Sequence, residues 1–242
     1  MARLPLPPVT SLRDFYAFEA HVKTANENRG RTVPPEWYEL PAFYFSNTSA
    51  IYGDGDTIPY PSYTNALDYE LEIAAVIGTG GINIAPQNAE AHILGFTIFN
   101  DWSARDIQAR EMRVGLGPAK GKDFASSLLS TVTTLDELAD RKTDRPAVFD
   151  LVMTARVNGI ERSRGNMRDL YYAFGDLIAH ASLDVPLRPG DVIGSGTVGT
   201  GCLLELTKGL GPWLQPGDVV ELEIERLGIL RNTIGAKPKT AE

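Results

Sequence analysis

Short apolar runs separated by turn residues are the feature that most limits how this chain folds. Each run has the length of a β-strand, and the predicted strands are residues 67–76, 93–99 and 149–157. Two copies of Pro-Gly-Asp, at residues 189–191 and 216–218, predict tight turns that lead into further strands. Apolar residues recur at helical spacing over residues 104–112 and 169–181. The pattern predicts a strand-rich α+β fold with few helices.

The N-terminal region has a different pattern. Residues 1–10 are rich in proline, which predicts an extended N-terminal arm. Ser11 is followed three residues later by Asp14, which is similar to a capping box, and the apolar spacing then predicts a helix over residues 11–26. Residues 26–35 are polar and end in two prolines, so we expect a loop there that can move as a lid does.

Charge and composition exclude several classes of protein. The formal net charge is -8, which repels phosphates and anionic lipids, so neither nucleic acid nor a membrane is expected as a partner. Cys202 is the single cysteine in the sequence, so an intrachain disulfide is excluded. No apolar stretch approaches the roughly 18 residues of a membrane span, and no signal peptide is recognisable. We therefore expect a cytoplasmic protein, with a single domain over residues 11–242 because the composition does not change along it.

Two glutamates in the first predicted strand carry the strongest chemical signal. Alternate side chains of a strand share a face, so Glu70 and Glu72 are expected to point the same way, about 7 Å apart along the backbone. That face continues with Ala74 and Val76, and carboxylates on such a face repel each other unless a cation lies between them. The alternative is a solvated face, as expected for the similar alternation of glutamates at residues 221–225. The pattern alone leaves both interpretations open.

Asp101 is a third candidate oxygen ligand. It follows the predicted strand over residues 93–99 where that strand gives way to a helix, so it is either a helix N-cap or a metal ligand. Arg105 and Gln108 are three residues apart and share one face of the predicted helix.

The choice of metal follows from the available donors. A zinc site rich in histidine is disfavoured because the whole sequence contains three histidines. A site built from carboxylate oxygens favours Mg²⁺, Mn²⁺ or Ca²⁺, with Mg²⁺ the expected ion.

Five motifs, in this order along the chain, resemble the fumarylacetoacetate hydrolase family. They are Tyr69-Glu70-Leu71-Glu72, Asn100-Asp101-Trp102-Ser103-Ala104-Arg105-Asp106-Ile107-Gln108, Gly121-Lys122-Asp123-Phe124, Gly194-Ser195-Gly196-Thr197 and Leu203-Leu204-Glu205-Leu206, with Asp14-Phe15-Tyr16 and His21 upstream. The nine-residue string is highly specific, and the match runs from about residue 11 to the C-terminus. The glycine-rich run at residues 194–201 lacks the Gly-Lys-Ser/Thr ending of a P-loop, which argues against a phosphate cradle.

The resemblance implies a fold and an assembly. The family's fold is a mixed β-roll of the fumarylacetoacetase C-terminal-domain type, and its members are usually homodimers. Eukaryotic members carry an additional N-terminal SH3-like domain, for which this sequence has no room. We therefore expect the fumarylacetoacetase-like branch without that domain.

The resemblance also implies roles for individual residues. The implied metal ligands are Asp14, Glu70, Glu72 and Asp101. The implied catalytic residues are the water-activating His21, its orienting partner Glu205, and the oxyanion and substrate contacts Lys122 and Gln108. The implied substrate-binding residues are Tyr16, Tyr44, Arg105 and Thr197. If residues 11–26 are helical throughout, Asp14 and His21 lie on one face of that helix, two turns apart.

Two positions depart from the family's pattern, and one match is ambiguous. Met112 stands where the eukaryotic enzyme has a tyrosine. The arginine of the lid loop is either Arg29 or Arg31. Thr24 stands where smaller members pair the histidine with a glutamate, so a histidine–carboxylate pair here requires Glu205.

The family's chemistry suggests a hydrolase acting on carbon–carbon bonds of small anionic oxo-acids, as in the catabolism of aromatic compounds. Its substrates are β-dicarbonyl acids such as fumarylacetoacetate or an acylpyruvate. The same kind of site also serves decarboxylation of oxaloacetate-like acids and isomerisation of oxo-dienoates. The presence of both His21 and Glu205 favours hydrolysis, and a metal-binding protein without catalytic activity is the remaining alternative.

Overall fold

The computed structural model describes residues 3–238. The first two residues of the predicted arm and residues 239–242 of the predicted domain lie outside this range. The β-strands are, in chain order, β1 (Arg3–Pro5), β2 (Ser11–Phe15), β3 (Phe43–Ser46), β4 (Ile51–Tyr52), β5 (Thr57–Ile58), β6 (Leu67–Asp68), β7 (Leu71–Ile77), β8 (Ile93–Asp101), β9 (Ser103–Ala104), β10 (Ser126–Leu128), β11 (Thr131–Thr133), β12 (Val152–Val157), β13 (Ile160–Asn166), β14 (Asp191–Gly194), β15 (Val219–Ile224) and β16 (Gly228–Ile234). The α-helices are α1 (Glu19–Glu27), α2 (Arg105–Val114), α3 (Phe174–Ala181) and α4 (Leu203–Leu206). The 3₁₀ helices are Pro35–Tyr38, Pro86–His92, Leu135–Arg141 and Met167–Asp169.

Two mixed sheets and a short ribbon organise these strands. The main path of the larger sheet is β1-β11-β8-β7-β14-β2-β3, with β10 paired to both β8 and β4. Its strands are antiparallel except for the parallel pairs β2–β14 and β4–β10. The second sheet has the order β13-β12-β15-β16-β5, and β6 pairs with β9. The predicted strand-rich α+β fold is confirmed.

Strand β7 lies inside the larger sheet and separates two sets of packing partners. Leu71 and Ile73 belong to the larger hydrophobic cluster, whereas Ala74 and Val76 pack in a smaller cluster on the other face. Glu72 shares this second face by strand alternation and is fully buried. The predicted alternation is therefore present, and it places a carboxylate inside the protein.

The predicted strand over residues 67–76 is interrupted. Strands β6 and β7 flank Tyr69 and Glu70, which belong to neither strand. The backbone N–H of Glu70 donates to the side-chain oxygen of Asn100 at 2.9 Å, so a side chain replaces the partner that a ladder would supply. Glu70 therefore lies directly before the first residue of β7 and beside the last residues of β8.

The predicted helix over residues 11–26 is wrong in its first half. Residues Ser11–Phe15 form β2, parallel to β14 and antiparallel to β3, and the helix begins only at Glu19. The capping-box interpretation is also wrong, because Ser11 Oγ donates to Asp191 Oδ1 at 2.7 Å. Pairing with two strands outweighs local helical spacing here, and Asp14 and His21 therefore lie on different elements.

Other elements follow the sequence pattern more closely. Strand β8 and helix α2 confirm the predictions over residues 93–99 and 104–112. Helix α3 begins later than predicted, because Asp176 Oδ2 accepts the backbone N–H of Ala173 and fixes the first turn there. Both Pro-Gly-Asp turns are present, with φ of +89° at Gly190 and +90° at Gly217. Within residues 3–238, no helix has both the length and the apolar character of a membrane span.

Candidate metal centre and active site

A cavity of about 350 Å³ lies where β2, β3 and β7 meet α1 and α2. Most of the residues singled out from the sequence line it: Asp14, Tyr16, His21, Tyr44, Glu70, Glu72, Arg105, Gln108, Lys122 and Thr197. The remaining two lie directly behind its wall, Asp101 against Lys122 and Glu205 against His21. Residues far apart in the sequence are thus brought to one place.

Four buried carboxylates form a cluster at one end of this cavity. Asp14 comes from β2, Glu70 from the break before β7, Glu72 from β7 and Asp101 from the last position of β8. One oxygen from each lies within 4.8 Å of the others. Asp101 Oδ1 is buried and has no hydrogen-bond partner among residues 3–238, which is costly unless a cation or water satisfies it. An all-oxygen donor set of this kind fits a divalent cation such as Mg²⁺, Mn²⁺ or Ca²⁺.

The raised pKa values of Asp14 and Glu72 also indicate a site for a cation. Burial and the nearby charge of Asp101 raise the pKa of Asp14 well above its usual value. Burial and the charge of Asp14 likewise raise the pKa of Glu72. The N–H of Gly196 donates to both, at 3.2 Å to Asp14 Oδ1 and 3.0 Å to Glu72 Oε2. One N–H does not neutralise two buried charges, so this pair requires a proton or a cation.

Glu70 is already compensated by two cationic side chains. Lys122 Nζ lies 2.6 Å from Glu70 Oε2 and 2.6 Å from Asp101 Oδ2, and Arg105 Nη2 lies 2.8 Å from Glu70 Oε1. Burial would raise the pKa of Glu70, but Lys122 and Arg105 outweigh it and hold that pKa well below its usual range. Burial would lower the pKa of Lys122, but Asp101 and Glu70 hold it above its usual value. Lys122 is therefore cationic at neutral pH.

His21 and Glu205 form a buried pair beside the carboxylate cluster. A hydrogen bond joins His21 Nδ1 on α1 to Glu205 Oε1 on α4. Thr200 N–H donates to the other carboxylate oxygen, Glu205 Oε2, at 3.0 Å, which fixes the plane of the carboxylate. Since Nδ1 faces Glu205, Nε2 is the ring nitrogen free to act on a substrate or a water. Tyr16 packs edge-on against the imidazole, with 5.3 Å between ring centroids.

The predicted substrate contacts are mostly hydrogen-bonded to other residues of the site. The Tyr44 hydroxyl donates to Asp101 Oδ2, and Thr197 Oγ1 donates to Glu72 Oε1 at 3.4 Å. Gln108 Oε1 accepts from Arg105 Nη1 at 3.0 Å. Substrate-side and metal-side groups therefore form one hydrogen-bonded network rather than two separate sets.

The structure also places the two departures from the family's pattern and the two candidate lid-loop arginines. Met112 lines the cavity, which makes the wall more apolar at that point. Of the two lid-loop arginines, Arg29 lines the cavity and Arg31 does not. Thr24 Oγ1 donates to Ala20 O within its own helix at 3.0 Å, so it takes no part in the histidine pair.

Sequence reasoning missed Asp68 and the backbone N–H of Gly196. Asp68 is fully buried and accepts hydrogen bonds from its neighbour Tyr69 and from α2 and α4, although its position within the first predicted strand indicated no separate role. A third acidic residue at the same alternation was the signal that could have identified it. The N–H of Gly196 is a backbone group, which residue types do not reveal, so the Gly194–Thr197 motif was the one sequence feature that pointed to it.

Comparison with known proteins decides the family. The family model described as the C-terminal domain of fumarylacetoacetate (FAA) hydrolase matches residues 10–235. This chain belongs to the fumarylacetoacetate hydrolase family. Its relatives include fumarylacetoacetase of Arabidopsis thaliana, 33% identical over 80% of this chain and 57% of that protein. Another is the human mitochondrial oxaloacetate tautomerase FAHD2A, 36% identical over 84% of this chain and 60% of that protein. The chain thus spans about three fifths of the length of these relatives.

Solved structures of the fumarylacetoacetate hydrolase family share the fold. The crystal structure of 5-carboxymethyl-2-hydroxymuconate delta-isomerase from Mycobacterium smegmatis superposes with a TM-score of 0.74 at 30% identity, covering 98% of this chain and 83% of that one. Fumarylpyruvate hydrolase from Pseudomonas aeruginosa, solved in complex with Mn²⁺ and pyruvate, gives a TM-score of 0.77 at 24% identity, covering 95% and 91%. The expected mixed β-roll is confirmed. Hydrolases, isomerases and tautomerases all occur among these family members.

Proposed function

We propose that this protein is a divalent-metal-dependent hydrolase that cleaves a carbon–carbon bond in a small β-dicarbonyl acid of the acylpyruvate or fumarylacetoacetate type. The observation that carries the proposal is the buried His21–Glu205 pair beside the four-carboxylate cluster in one cavity. Tautomerisation and decarboxylation need no activated water. A paired base next to a cation site therefore favours hydrolysis.

Asp14, Glu70, Glu72 and Asp101 would hold the cation. Mg²⁺ is the proposed ion, and Mn²⁺ or Ca²⁺ would suit the same oxygen donors. When bound, the ion would act as a Lewis acid and would stabilise the negative charge that develops as the carbon–carbon bond breaks. The unpartnered Asp101 Oδ1 and the crowding of Asp14 with Glu72 support this assignment.

The remaining steps belong to the side chains of the cavity. His21 Nε2 removes a proton from water, while Glu205 keeps Nδ1 in the correct tautomer. The hydroxide adds to the carbonyl distant from the substrate's carboxylate, and Lys122 with Gln108 donates to the resulting oxyanion. Breaking the carbon–carbon bond then gives two acids: the acyl half as a carboxylate, and the other half as an enolate that takes up a proton.

The other cavity residues position the substrate. Tyr16, Tyr44, Arg105 and Thr197 line the space beside the cation ligands, where they orient the oxo-acid. Arg29 on the loop after α1 closes over the bound substrate and excludes bulk water.

A second function deserves a direct comparison. Relatives named oxaloacetate tautomerase and a related muconate isomerase share 30–36% identity with this chain. An isomerase, tautomerase or oxo-acid decarboxylase would use the same ligands and give no hydrolytic role to His21. A metal-binding protein without turnover is the third alternative.

Assembly, location and pathway extend the proposal. We propose a homodimer, because the resembled family forms dimers, and a cytoplasmic location, because of the composition and charge. The substrates of the named relatives support a role in the catabolism of aromatic compounds.

A panel of substrates tests the proposed function. Purified protein is incubated with Mg²⁺ or Mn²⁺ and with acylpyruvates, fumarylacetoacetate and oxaloacetate, with and without chelator. Loss of the dicarbonyl ultraviolet band and identification of products are followed together. Release of two acids, abolished by chelator, is the expected result. Carbon dioxide, an isomer alone, or metal binding without turnover would each replace the hydrolase by the corresponding alternative.

A further inference from the structure

Asp68 is a buried carboxylate that the proposed reaction does not use. It is fully buried at the end of β6 and does not line the cavity. Its two oxygens accept four hydrogen bonds, all from donors that are held in place by the fold. Oδ1 accepts from Tyr69 N at 2.9 Å and Leu203 N at 2.8 Å, and Oδ2 accepts from Arg105 Nε at 2.8 Å and Leu204 N at 3.0 Å.

Two of these donors hold the histidine–carboxylate pair. Leu203 and Leu204 are the first two residues of α4, whose backbone N–H groups have no partner within the helix. The next residue is Glu205, which is hydrogen-bonded to His21. With only four residues, α4 depends on outside contacts for its position, and Asp68 is the side chain that accepts its first two N–H groups.

The remaining donor is the side chain of Arg105, the first residue of α2. Arg105 points Nε at Asp68 and places Nη2 2.8 Å from Glu70 Oε1 and Nη1 3.0 Å from Gln108 Oε1. A guanidinium held at Nε has little freedom to rotate, so Asp68 also fixes the group that compensates Glu70. The Asp68 carboxylate therefore contacts both α4, which carries Glu205, and Arg105, which compensates Glu70.

We infer that Asp68 is a positioning residue. It holds the His21–Glu205 pair at a fixed position relative to the Arg105–Glu70 pair across the cavity. It touches neither substrate nor cation ligands, and it acts through α4 and Arg105. A displacement of a reacting group by about 1 Å is enough to reduce a rate by roughly 100-fold. Asp68 therefore affects turnover by holding other residues in place, although it takes no part in the reaction. The kinetic part of the inference rests on the proposed function, whereas the structural part does not.

The test variant is Asp68→Asn. Asparagine has the same shape but one oxygen and one NH₂ group, so its NH₂ meets donor to donor either Arg105 Nε and Leu204 N–H or Tyr69 N–H and Leu203 N–H. In both orientations one N–H of α4 loses its acceptor. Asp191→Asn is the matched control, because Asp191 is also buried, accepts hydrogen bonds from Thr10, Ser11 and Arg188, and lies outside the cavity lining.

The decisive readout is the downfield proton resonance of the hydrogen-bonded His21 imidazole, assigned by its loss in His21→Ala. We expect Asp68→Asn to shift or broaden this resonance and to lower kcat by about 10-fold to 100-fold. Asp191→Asn should lower thermal stability but leave the resonance in place and kcat within about threefold. A folded Asp68→Asn variant with an unchanged resonance would overturn the inference.

Two further outcomes keep the test decisive. If Asp68→Asn does not fold, Leu203→Pro removes a single N–H donor of α4 at a helix position that tolerates proline, and the same shift is expected. If no oxo-acid is turned over by the wild type, the proposed function fails, but the resonance still decides whether Asp68 positions His21. A resonance that moves equally in Asp191→Asn would show only general loosening of the fold and would contradict the inference.

Discussion

Four carboxylates gathered inside a protein raise the free energy of the folded state unless positive charge reaches them. Lys122 and Arg105 supply that charge for Glu70, as their contacts and the lowered pKa of Glu70 show. Asp14 and Glu72 accept from neutral donors, the N–H of Gly196 and, for Glu72, also the hydroxyl of Thr197, and they keep raised pKa values. The two halves of the cluster are thus unequal, and the electrostatic need for a cation is concentrated at Asp14 and Glu72.

The first prediction at the residue scale concerns Glu72. Glu72→Ala should weaken Mn²⁺ binding, measured by calorimetry, by at least about 100-fold and abolish turnover, since even residues outside the ligand set cost 10–100-fold. Glu223→Ala is the control, because Glu223 lies on a strand of similar alternation but pairs with Arg156 at the surface. Wild-type affinity or turnover in Glu72→Ala would overturn the ligand assignment.

The second prediction separates the base from the ligands. His21→Ala should keep the Mn²⁺ affinity and lower kcat for hydrolysis by about 10² to 10⁴, the usual contribution of a general base. His92→Ala is the matched control, because its ring bonds a backbone oxygen away from the cavity. Steady-state kinetics and calorimetry on the same preparations decide it, and unimpaired hydrolysis would rule out His21 as the base.

The third prediction is a dependence of stability on pH. A carboxyl whose pKa is higher in the folded than in the unfolded chain takes up protons on folding. Its stabilising contribution is complete below the unfolded pKa and is lost as pH rises through the folded pKa. For Asp14 and Glu72 this window opens above the ordinary values of 3.8 and 4.5. In chelator, the melting temperature should therefore fall as pH rises from about 5 to about 8.

A variant identifies the source of that slope. Glu72→Gln removes one of the two crowded charges, so its melting temperature should depend less steeply on pH. Groups with lowered pKa, such as Asp191, lose their contribution only below the ordinary carboxyl range and do not interfere. Saturating Mn²⁺ should remove most of the slope in the wild type. An identical slope in Glu72→Gln would show that other groups produce it.

At the scale of elements, the site depends on where short strands end. Asp101 is the last residue of β8, and the break between β6 and β7 turns Glu70 toward the carboxylate cluster. The turn after β14 brings the N–H of Gly196 to Asp14 and Glu72, with φ of +78° at Gly196. These features are backbone geometry rather than side-chain choice.

Gly196→Ala tests this backbone contribution. The new Cβ would lie 2.4 Å from Phe15 O, and the left-handed backbone costs about 1–3 kcal/mol for a residue other than glycine. Gly159→Ala has a similar φ of +76° but meets no atom within 4 Å, so it should cost stability alone. We expect Gly196→Ala to lose Mn²⁺ affinity as well, by calorimetry. Unchanged affinity in a folded Gly196→Ala variant would show that metal binding does not depend on the backbone geometry of this turn.

The sequence predicted elements well where burial pattern and local preference agree. Strand β8 and helix α2 are examples, since the apolar run and the polar helix that follows it are unambiguous. Strand β2 was predicted as a helix because Leu12 and Phe15 have helical spacing, and only the neighbouring strands β3 and β14 make this segment a strand. Those neighbours come from residues distant in sequence, so the decision was not available locally.

At the scale of the whole molecule, the cavity is lined by side chains from residue 14 to residue 204 of the chain, with Glu205 directly behind its wall. The ordered motifs predicted which residues to consider, and the fold shows that they share one place. Their contacts were not predictable from the motifs. Lys122 bonded to Glu70 and Asp101, or Tyr44 bonded to Asp101, depends on distances that only the packed sheets determine.

The most direct measurement of the central claim is hydrolysis in ¹⁸O-labelled water with Mg²⁺ and an acylpyruvate. If His21 activates water for attack on the distal carbonyl, the released acyl acid should carry one ¹⁸O atom per turnover, detected by mass spectrometry. Labelled acyl acid should be absent when chelator is present, and it should form about 10² to 10⁴ times more slowly when His21 is replaced by alanine. Consumption of the dicarbonyl acid without any labelled acyl acid would contradict the account and place this protein among the tautomerases, isomerases or decarboxylases of its family.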